Sequence, residues 1–243
     1  SRVNLINQLL AVSYFRTKTI KMMKLGLLRI CSLLISISLL ENIGNAQKRT
    51  LPTDTTVVTS NTVTINGSKV SYTATTGTQP VWDEMGNPIA SLFYTYYKRS
   101  DVSNTAERPL LISFNGGPGS ASVWMHIAYT GPQVLNIDEE GFPVQPYGVH
   151  ENNYSVLDVA DIVFVNPVNT GYSRTIPDGG KEVDKSKFFG INADIKYLAD
   201  WLNTFVTRNE RWTSPKYLIG ESYGGTRVSG LALELQERQW MYL

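Results

Sequence analysis

Three short and almost wholly apolar runs place the tightest limits on the fold of this chain. The runs cover residues 109–114, 161–165 and 216–219. Their length and composition are typical of strands that a sheet buries on both faces. Between the second and third runs, apolar side chains recur at helical spacing over residues 189–206. Strands that alternate with a helix in this way predict a parallel α/β sheet.

The segment ahead of these runs predicts antiparallel strands. Alternating stretches rich in β-branched and aromatic residues cover residues 62–65, 69–75 and 89–97, with turn sequences at 66–67 and 86–88. Such alternation between turns is the pattern of strands joined by hairpins. A Thr-rich stretch over residues 50–64 comes first, and we interpret it as flexible. Residues 47–79 are therefore assigned as a flexible lead-in and the first strands.

The front of the chain, residues 1–46, predicts a targeting segment. It holds six basic residues and one acidic residue, and an unbroken apolar run covers residues 30–40. A run of this length fits the core of a signal peptide better than a membrane span. We therefore assign residues 22–46 as a signal peptide cleaved before Gln47, and residues 1–21 as an upstream, non-native segment. A buried core helix and an uncleaved anchor stay open as alternatives.

Charge and cysteine content narrow the classes of function. The chain has 22 Lys and Arg against 21 Asp and Glu, and without the targeting segment 16 basic and 20 acidic residues remain. This balance argues against a nucleic-acid binder. Cys31, the only cysteine, lies in the assigned signal peptide, so the mature chain has neither a disulfide nor a cysteine metal site. We expect an exported, periplasmic or extracellular protein, and nothing points to a metal or organic cofactor.

A strand-to-helix turn carries the most informative motif. Residues 220–225 read Gly-Glu-Ser-Tyr-Gly-Gly and match the G-x-S-x-G nucleophile elbow, in which small residues around the serine permit a strained turn that exposes its hydroxyl. The third apolar run supplies the strand, and residues 228–239 supply a helix with an apolar face. The motif predicts Ser222 as a catalytic nucleophile. The alternative is a tight turn with an incidental serine.

A glycine-rich turn follows the first apolar run. Residues 115–120 read Asn-Gly-Gly-Pro-Gly-Ser, and acyl transfer needs backbone N–H donors aimed at the developing oxyanion. In α/β-hydrolases one N–H donor belongs to the residue after the nucleophile, which is Tyr223 here. Another comes from a glycine loop after an earlier strand, and Gly116 and Gly117 are in the correct place for that loop. A phosphate-binding loop fits less well, because its Lys-Ser/Thr pair is absent and Pro118 removes a donor. A glycine turn needed only for packing stays open.

Three ordered motifs resemble the signatures of a known family. They are residues 115–122, 166–173 and 220–225, with the sequences NGGPGSAS, NPVNTGYS and GESYGG. In this order and on these elements they resemble the serine carboxypeptidases, peptidase family S10, over roughly residues 80–235. The resemblance implies the N-terminal half of an α/β-hydrolase fold over residues 80–243. It also implies an enzyme that removes C-terminal residues from peptides, usually best at acidic pH.

The resemblance also implies roles for individual residues. Ser222 corresponds to the nucleophile, and the N–H groups of Gly117 and Tyr223 correspond to the oxyanion hole. The residues that would hold the terminal carboxylate of the substrate are Asn115, Gly116 and Glu221. An ionised glutamate repels a carboxylate, so this glutamate has to be protonated to donate a hydrogen bond, and binding should weaken as pH rises. The alternative is that the glutamate only packs at the elbow.

The chain departs from the family pattern at several positions. Ser120 and Ser113 stand where many members have cysteine and tryptophan. Residues 128–132 contain no carboxylate, whereas many members carry a second glutamate shortly before the Gly-Pro pair. These departures bear on recognition of the terminal carboxylate rather than on the hydrolase chemistry. We interpret His126, which follows the glycine loop, as a structural or surface histidine rather than as a polarising group.

The general base of a hydrolase is missing after the serine. The hydrolase order is serine, then aspartate or glutamate, then histidine. Residues 223–243 contain no Asp and no His, only Glu234 and Glu237 on the predicted helix. A serine without a base is a poor nucleophile. We therefore expect this chain to be an inactive N-terminal fragment that lacks the triad Asp and His of a longer peptidase.

Two other functions stay open from the sequence. A related α/β-hydrolase would use the same serine and oxyanion donors as an esterase or acyltransferase. A naturally truncated, non-catalytic binding protein would keep the elbow only as a scaffold. For the peptidase, the expected partner is the C-terminus of a peptide or protein, with no nucleic acid and with membrane contact only through the transient signal peptide.

Overall fold

The computed structural model describes residues 52–177 and 183–243. The predicted upstream segment and signal peptide, residues 1–46, lie outside the described residues. The strands are β1 (Thr55–Ile65), β2 (Ser68–Trp82), β3 (Pro88–Arg99), β4 (Leu110–Phe114), β5 (Gln133–Leu135), β6 (Val149–Glu151), β7 (Asp161–Val165), β8 (Arg174–Thr175) and β9 (Lys216–Gly220). The helices are α1 (Ile191–Arg208) and α2 (Tyr223–Arg238), with a π-helical turn (Met125–Thr130) and 3₁₀ turns (Val156–Asp158 and Lys185–Lys187).

One sheet carries most of these strands in the order β1-β2-β3-β7-β4-β9, with β8 paired to β3. Its first part is antiparallel, from β1 through β2 and β3 to β7. Its second part is parallel, because β4 pairs in parallel with both β7 and β9. The prediction of antiparallel opening strands followed by a parallel sheet is confirmed. β5 and β6 form a small antiparallel sheet of their own.

The first two apolar runs, β4 and β7, lie inside the sheet, where both of its faces are covered. The third run, β9, is the last strand in the order, and its Tyr217 is 56% exposed, so the prediction of burial on both faces is wrong for β9. Ile112 and Phe114 on β4, and Val163 and Val165 on β7, are fully buried. One face packs against the two helices, and the core residues contributed by those helices include Leu198, Trp201, Leu202, Phe205, Leu231 and Leu235. The opposite face has a second core, which includes Val63, Ile65, Val70, Leu157, Ile162 and Phe164. Burial on both faces explains why these strands are apolar throughout.

The register of the parallel strands brings two loops together. Phe114, the last residue of β4, pairs with Gly220, the last residue of β9. Parallel strands end at the same edge of a sheet, so the segments after β4 and β9 leave that edge side by side. The glycine loop and the predicted elbow are these two segments. Their proximity is therefore a result of strand pairing.

The interpretation of the Thr-rich stretch over residues 50–64 as flexible is wrong from Thr55 onward, whereas the strands predicted over residues 62–65 and 69–75 are confirmed as parts of β1 and β2. β1 pairs with β2 along its whole length, from Thr55 opposite Thr78 to Ile65 opposite Ser68. Threonine is β-branched and favours extended backbone, so its abundance indicated a strand rather than flexibility. The assigned boundary between residues 79 and 80 falls inside β2, and the residues on both sides of it belong to one sheet.

The helix after the elbow begins earlier than its apolar periodicity predicts. α2 starts at Tyr223, directly after the motif serine, whereas the sequence pattern predicts a start at Val228. Gly224 and Gly225 have poor helix propensity and give no periodic signal. They are helical because the end of β9 and the loop after β4 hold the first turn in place.

A buried charge cluster lies at the opposite end of the parallel strands, where β7 begins. Asp161 is fully buried and forms ion pairs with Arg108 and Arg211. Its carboxylate also accepts a hydrogen bond of 2.9 Å from the backbone N–H of Arg99. Arg211 is 1% exposed and donates to Ser214 Oγ and to the carbonyl of Arg108 as well. The buried charges are thus paired and hydrogen-bonded, which burial requires of them.

Candidate active site

The elbow holds its serine in a strained conformation. Ser222 lies between β9 and α2 with φ +56° and ψ −122°. A non-glycine residue with positive φ costs about 1–3 kcal/mol and persists only where the surroundings enforce it. The tight turn is possible because Gly220 has no side chain: a Cβ at that position would lie 2.1 Å from the carbonyl oxygen of Gly224. The turn leaves Ser222 exposed at the edge of the sheet.

The glycine loop packs directly on this elbow. A Cβ on Gly116 would lie 2.6 Å from the carbonyl oxygen of Glu221 and 2.7 Å from the backbone nitrogen of Tyr223. Only a glycine backbone can approach the turn so closely. Gly117 follows with φ +109°, in the region that favours glycine. The structure therefore packs Gly116 against the elbow residues, and Gly117 is the next residue of the same loop.

A hydrogen bond joins the loop to the elbow through side chains. Asn115 Nδ2 donates to Glu221 Oε2 at 3.3 Å. The amide is fixed in this direction because its Oδ1 accepts from the backbone N–H of Met125 at 3.0 Å. Asn115 is 1% exposed, whereas Glu221 is exposed. All six residues predicted for the site, Asn115, Gly116, Gly117, Glu221, Ser222 and Tyr223, thus lie on two adjoining segments.

The third motif, residues 166–173, braces the glycine loop. Asn166 Oδ1 accepts from the backbone N–H of Ser122 at 3.0 Å, and Ser122 Oγ donates to the carbonyl of Val165. Ser173 Oγ donates to the carbonyl of Asn166 at 2.6 Å and accepts from the backbone N–H of Phe93 at 2.8 Å. The motif therefore ties β3 and β7 to the segment that follows β4.

The model for the family described as serine carboxypeptidase matches residues 73–241 of this chain. The chain belongs to the serine carboxypeptidase family. The pheromone-processing carboxypeptidase KEX1 of Saccharomyces cerevisiae is 33% identical over 150 residues, which is 60% of this chain and 19% of that protein. Serine carboxypeptidase-like 8 of Arabidopsis thaliana is 31% identical over 153 residues, 61% of this chain and 33% of that protein.

A mammalian relative and a solved structure extend this comparison within the family. The retinoid-inducible serine carboxypeptidase of Rattus norvegicus is 29% identical over 176 residues, 70% of this chain and 35% of that protein. The crystal structure of the prohormone-processing carboxypeptidase KEX1(Δ)p from Saccharomyces cerevisiae matches with a TM-score of 0.56 and 25% identity, over 70% of this chain and 35% of that one. The chain therefore spans at most about a third of these relatives. The predicted partial α/β-hydrolase fold is confirmed.

Sequence reasoning missed a buried polar network behind the glycine loop of this family member. Arg227, on the first turns of α2, is 1% exposed and pairs with Asp194 of α1 at 2.8 Å. Arg227 stands four residues before Leu231 and eight before Leu235, on the face that the helix buries. A charged residue at a core position is a signal that the sequence does contain, because such a residue needs a partner.

A cavity of about 190 Å³ opens beside the site. Its walls include Tyr223 and Gly119 from the two motif segments, together with Val168, Phe188 and Phe189. Most of these side chains are apolar, the two charged residues that also line the cavity, Arg227 and Asp194, are paired with each other, and the cavity is small. It is suited to an uncharged side chain rather than to a cofactor.

Two further properties concern the described ranges 52–177 and 183–243 only. No three His, Cys, Asp or Glu side chains there converge as metal ligands would. In the same ranges, no helix combines the length and the apolarity needed to cross a bilayer.

His126 has a structural environment. Its Nε2 lies 2.6 Å from the hydroxyl of Tyr97, and its ring stacks on Phe164 with centroids 4.5 Å apart. Burial lowers the pKa of His126 to about 4 from its ordinary value of 6.5. These contacts agree with the interpretation of His126 as a structural histidine. The second histidine of the chain, His150, lies on β6.

We expect His126 to make the fold sensitive to acid. With a pKa of about 4 when folded and 6.5 when unfolded, the unfolded chain binds a proton first as pH falls. Stability is then complete above pH 6.5 and decreases as pH falls towards 4, by at most about 3 kcal/mol. Urea unfolding at pH 7.5 and pH 4.5 measures this change. His126→Gln keeps a polar group near Tyr97 without titrating, so it should lose less stability between the two pH values. Equal losses in both proteins would contradict the assignment.

Proposed function

We propose that the full-length protein is an exported serine carboxypeptidase that releases C-terminal residues from peptides through an acyl-enzyme on Ser222. The observation that carries the proposal is the strained serine, with φ +56°, against which a two-glycine loop packs. Membership of the serine carboxypeptidase family supports the same chemistry. An elbow kept only for packing would not need a strained, exposed hydroxyl.

The proposed first step is attack of Ser222 Oγ on the scissile carbonyl, with transfer of the hydroxyl proton to a base. The oxyanion that forms accepts hydrogen bonds from the backbone N–H groups of Gly117 and Tyr223. Tyr223 is the first residue of α2, so the partial positive charge of the helix N-terminus adds to this stabilisation. Collapse of the tetrahedral intermediate breaks the C–N bond, and the base returns the proton to the amine of the departing C-terminal residue. Water then hydrolyses the ester on Ser222, with its proton passing through the base back to the serine oxygen.

We place the base in sequence that follows this chain. His126 is held by Tyr97 and Phe164, and the hydrolase order puts the acid and the histidine after the serine. The chain covers 19% of its yeast relative and 33% of its plant relative, which leaves most of their length unmatched. On this proposal the chain alone is an inactive fragment.

The proposed binding site for the terminal carboxylate of the substrate consists of Asn115, Gly116 and Glu221. The fixed orientation of Asn115 Nδ2, which lies 3.3 Å from Glu221 Oε2, supports this site. An amide N–H group that points towards one carboxylate can also donate to the carboxylate of a bound substrate. The apolar cavity beside Tyr223 would take the side chain on the acyl side of the scissile bond.

A substrate panel tests the reaction class in the full-length protein. N-blocked peptides with a free C-terminal carboxylate should be cleaved, and the same peptides with an amidated C-terminus should be cleaved far more slowly. Equal rates on both, or transfer to an added alcohol in place of hydrolysis, would favour the esterase or acyltransferase alternative. A fluorophosphonate probe that fails to label Ser222 would contradict a serine hydrolase altogether.

The proposed export has its own test. A signal peptide at residues 22–46 predicts that the mature protein starts at Gln47. Mass spectrometry of the N-terminal peptide of the exported protein gives the start directly. A protein that keeps residues 30–40 after export would contradict cleavage.

A further inference from the structure

A buried guanidinium contacts both ends of the two-glycine segment. Arg227 Nη1 donates to the carbonyl of Asn115 at 2.9 Å, and its Nη2 donates to the carbonyl of Pro118 at 3.3 Å. These two carbonyls bracket Gly116 and Gly117 in sequence. The guanidinium also lies over the rings of Phe114 and Tyr223, with its carbon 5.7 Å and 5.2 Å from the two ring centroids.

A second set of contacts fixes the guanidinium itself. Arg227 Nε donates to Asp194 Oδ2 at 2.8 Å, and Asp194 Oδ1 accepts from the hydroxyl of Tyr197 at 2.8 Å. The hydroxyl in turn accepts from the backbone N–H of Val168 at 3.1 Å, in the third motif. Both carboxylate oxygens are therefore occupied, and the network joins α1, α2 and all three motifs.

The network is poorly explained by helix packing alone. Leu231 and Leu235 occupy the same face of α2 and are fully buried without charges. Replacing a buried ion pair by apolar residues of similar volume is often neutral or stabilising, so stability alone does not require Arg227. The guanidinium does offer five N–H donors in a planar fork, which can orient several acceptors at once.

We propose that Arg227 is a positioning residue that holds the glycine loop, and with it the N–H of Gly117, in the geometry that binds the oxyanion. Glycines have no side chains to fix them, so the loop needs an external anchor. The two carbonyls that Arg227 binds flank the glycines, and its ion pair with Asp194 fixes the anchor to α1. The inference rests on the proposed function, because it concerns the rate of acyl transfer at Ser222.

The test compares two buried arginines in the full-length enzyme. Arg227→Lys keeps the charge but loses the fork, and Arg211→Lys makes the same change in the buried cluster at the opposite end of the parallel strands. We expect Arg227→Lys to lower kcat by roughly 10²-fold, the size of effect that misplacing an active-site group produces, with KM changed much less. Arg211→Lys should lower Tm but leave kcat unchanged. The rate of Ser222 labelling by a fluorophosphonate, per folded molecule, should follow kcat.

The outcomes separate this inference from the proposed function. If Arg227→Lys lowers Tm as Arg211→Lys does but keeps kcat and the labelling rate, Arg227 is only structural and the inference is wrong. If the wild-type enzyme is neither active nor labelled at Ser222, the proposed function fails instead. Should Arg227→Lys not fold, Tyr197→Phe removes the hydroxyl that orients Asp194 and contacts Val168. That variant should lose kcat in the same direction by a smaller factor, and an unchanged kcat there would also overturn the inference.

Discussion

Replacing Ser222 with alanine should lower kcat of the full-length enzyme by at least about 10⁴-fold, because the variant has no nucleophile. Stability should change by less than about 0.5 kcal/mol, since Ser222 is exposed and alanine carries the same Cβ at the same positive φ. Release of C-terminal residues from an N-blocked peptide, measured beside the melting temperature, checks both statements. If Ser222→Ala retained turnover, the assignment of Ser222 as the nucleophile would be wrong.

A serine on the helix that follows the elbow provides the control. Ser229 is exposed on α2, and its hydroxyl donates to the carbonyl of Gly225, at 2.8 Å. Ser229→Ala removes a hydroxyl oxygen from this helix and leaves Ser222 in place. We expect full activity in this variant. Loss of activity in both variants would instead mean that activity is sensitive to any serine-to-alanine change near the elbow.

The second large loss of activity is expected where the glycine loop packs against the elbow. Gly116→Ala places a methyl group 2.6 Å from the carbonyl oxygen of Glu221 and 2.7 Å from the backbone nitrogen of Tyr223. Both contacts are with backbone atoms, so the loop has to move away from the elbow. We expect kcat to fall by roughly 10²–10³-fold, the cost of a lost oxyanion donor. Steady-state kinetics in the full-length enzyme measure this loss.

The same loop contains a matched control for this prediction. Gly119 has open space where a Cβ would lie, and its φ is not in the positive region. Gly119→Ala should therefore keep kcat within about twofold for a substrate with glycine on the acyl side, which leaves the cavity that Gly119 lines empty, because a side chain in open space leaves the backbone unchanged. If Gly116→Ala were as active as Gly119→Ala, the contact between loop and elbow would have no role in catalysis.

Local sequence predicted much of the fold and of the site. β4 and β7 were recognisable because burial on both faces makes nearly every position apolar, and the elbow was recognisable because its glycines and serine stand between a short apolar strand and a helix. The first part of β1 was misinterpreted as flexible, because a threonine-rich stretch that is exposed on both faces resembles a polar tail. The six predicted site residues lie together because β4 and β9 are paired neighbours.

The supporting network could not be predicted in the same way. Arg227 and Asp194 are 33 residues apart, and Arg227 and Asn115 are 112 apart. No spacing rule connects residues at such distances, since their contact depends on how α1 and α2 pack against one face of the sheet. The sequence reveals only that a charged side chain occupies an apolar face. The partner becomes known when the tertiary structure is known.

The pairing of Phe114 with Gly220 makes the geometry of the proposed catalytic site a property of the strands rather than of the connections between them. The spacing between Gly117 and Ser222 is set by where two neighbouring strands stop. Peripheral segments, such as residues 136–148 between β5 and β6, can therefore vary in length during evolution without disturbing the reaction centre. A single-residue deletion inside β4 or β9 should disturb the site, because it shifts the glycine loop relative to the elbow. It also moves the side chains of that strand to the opposite face of the sheet.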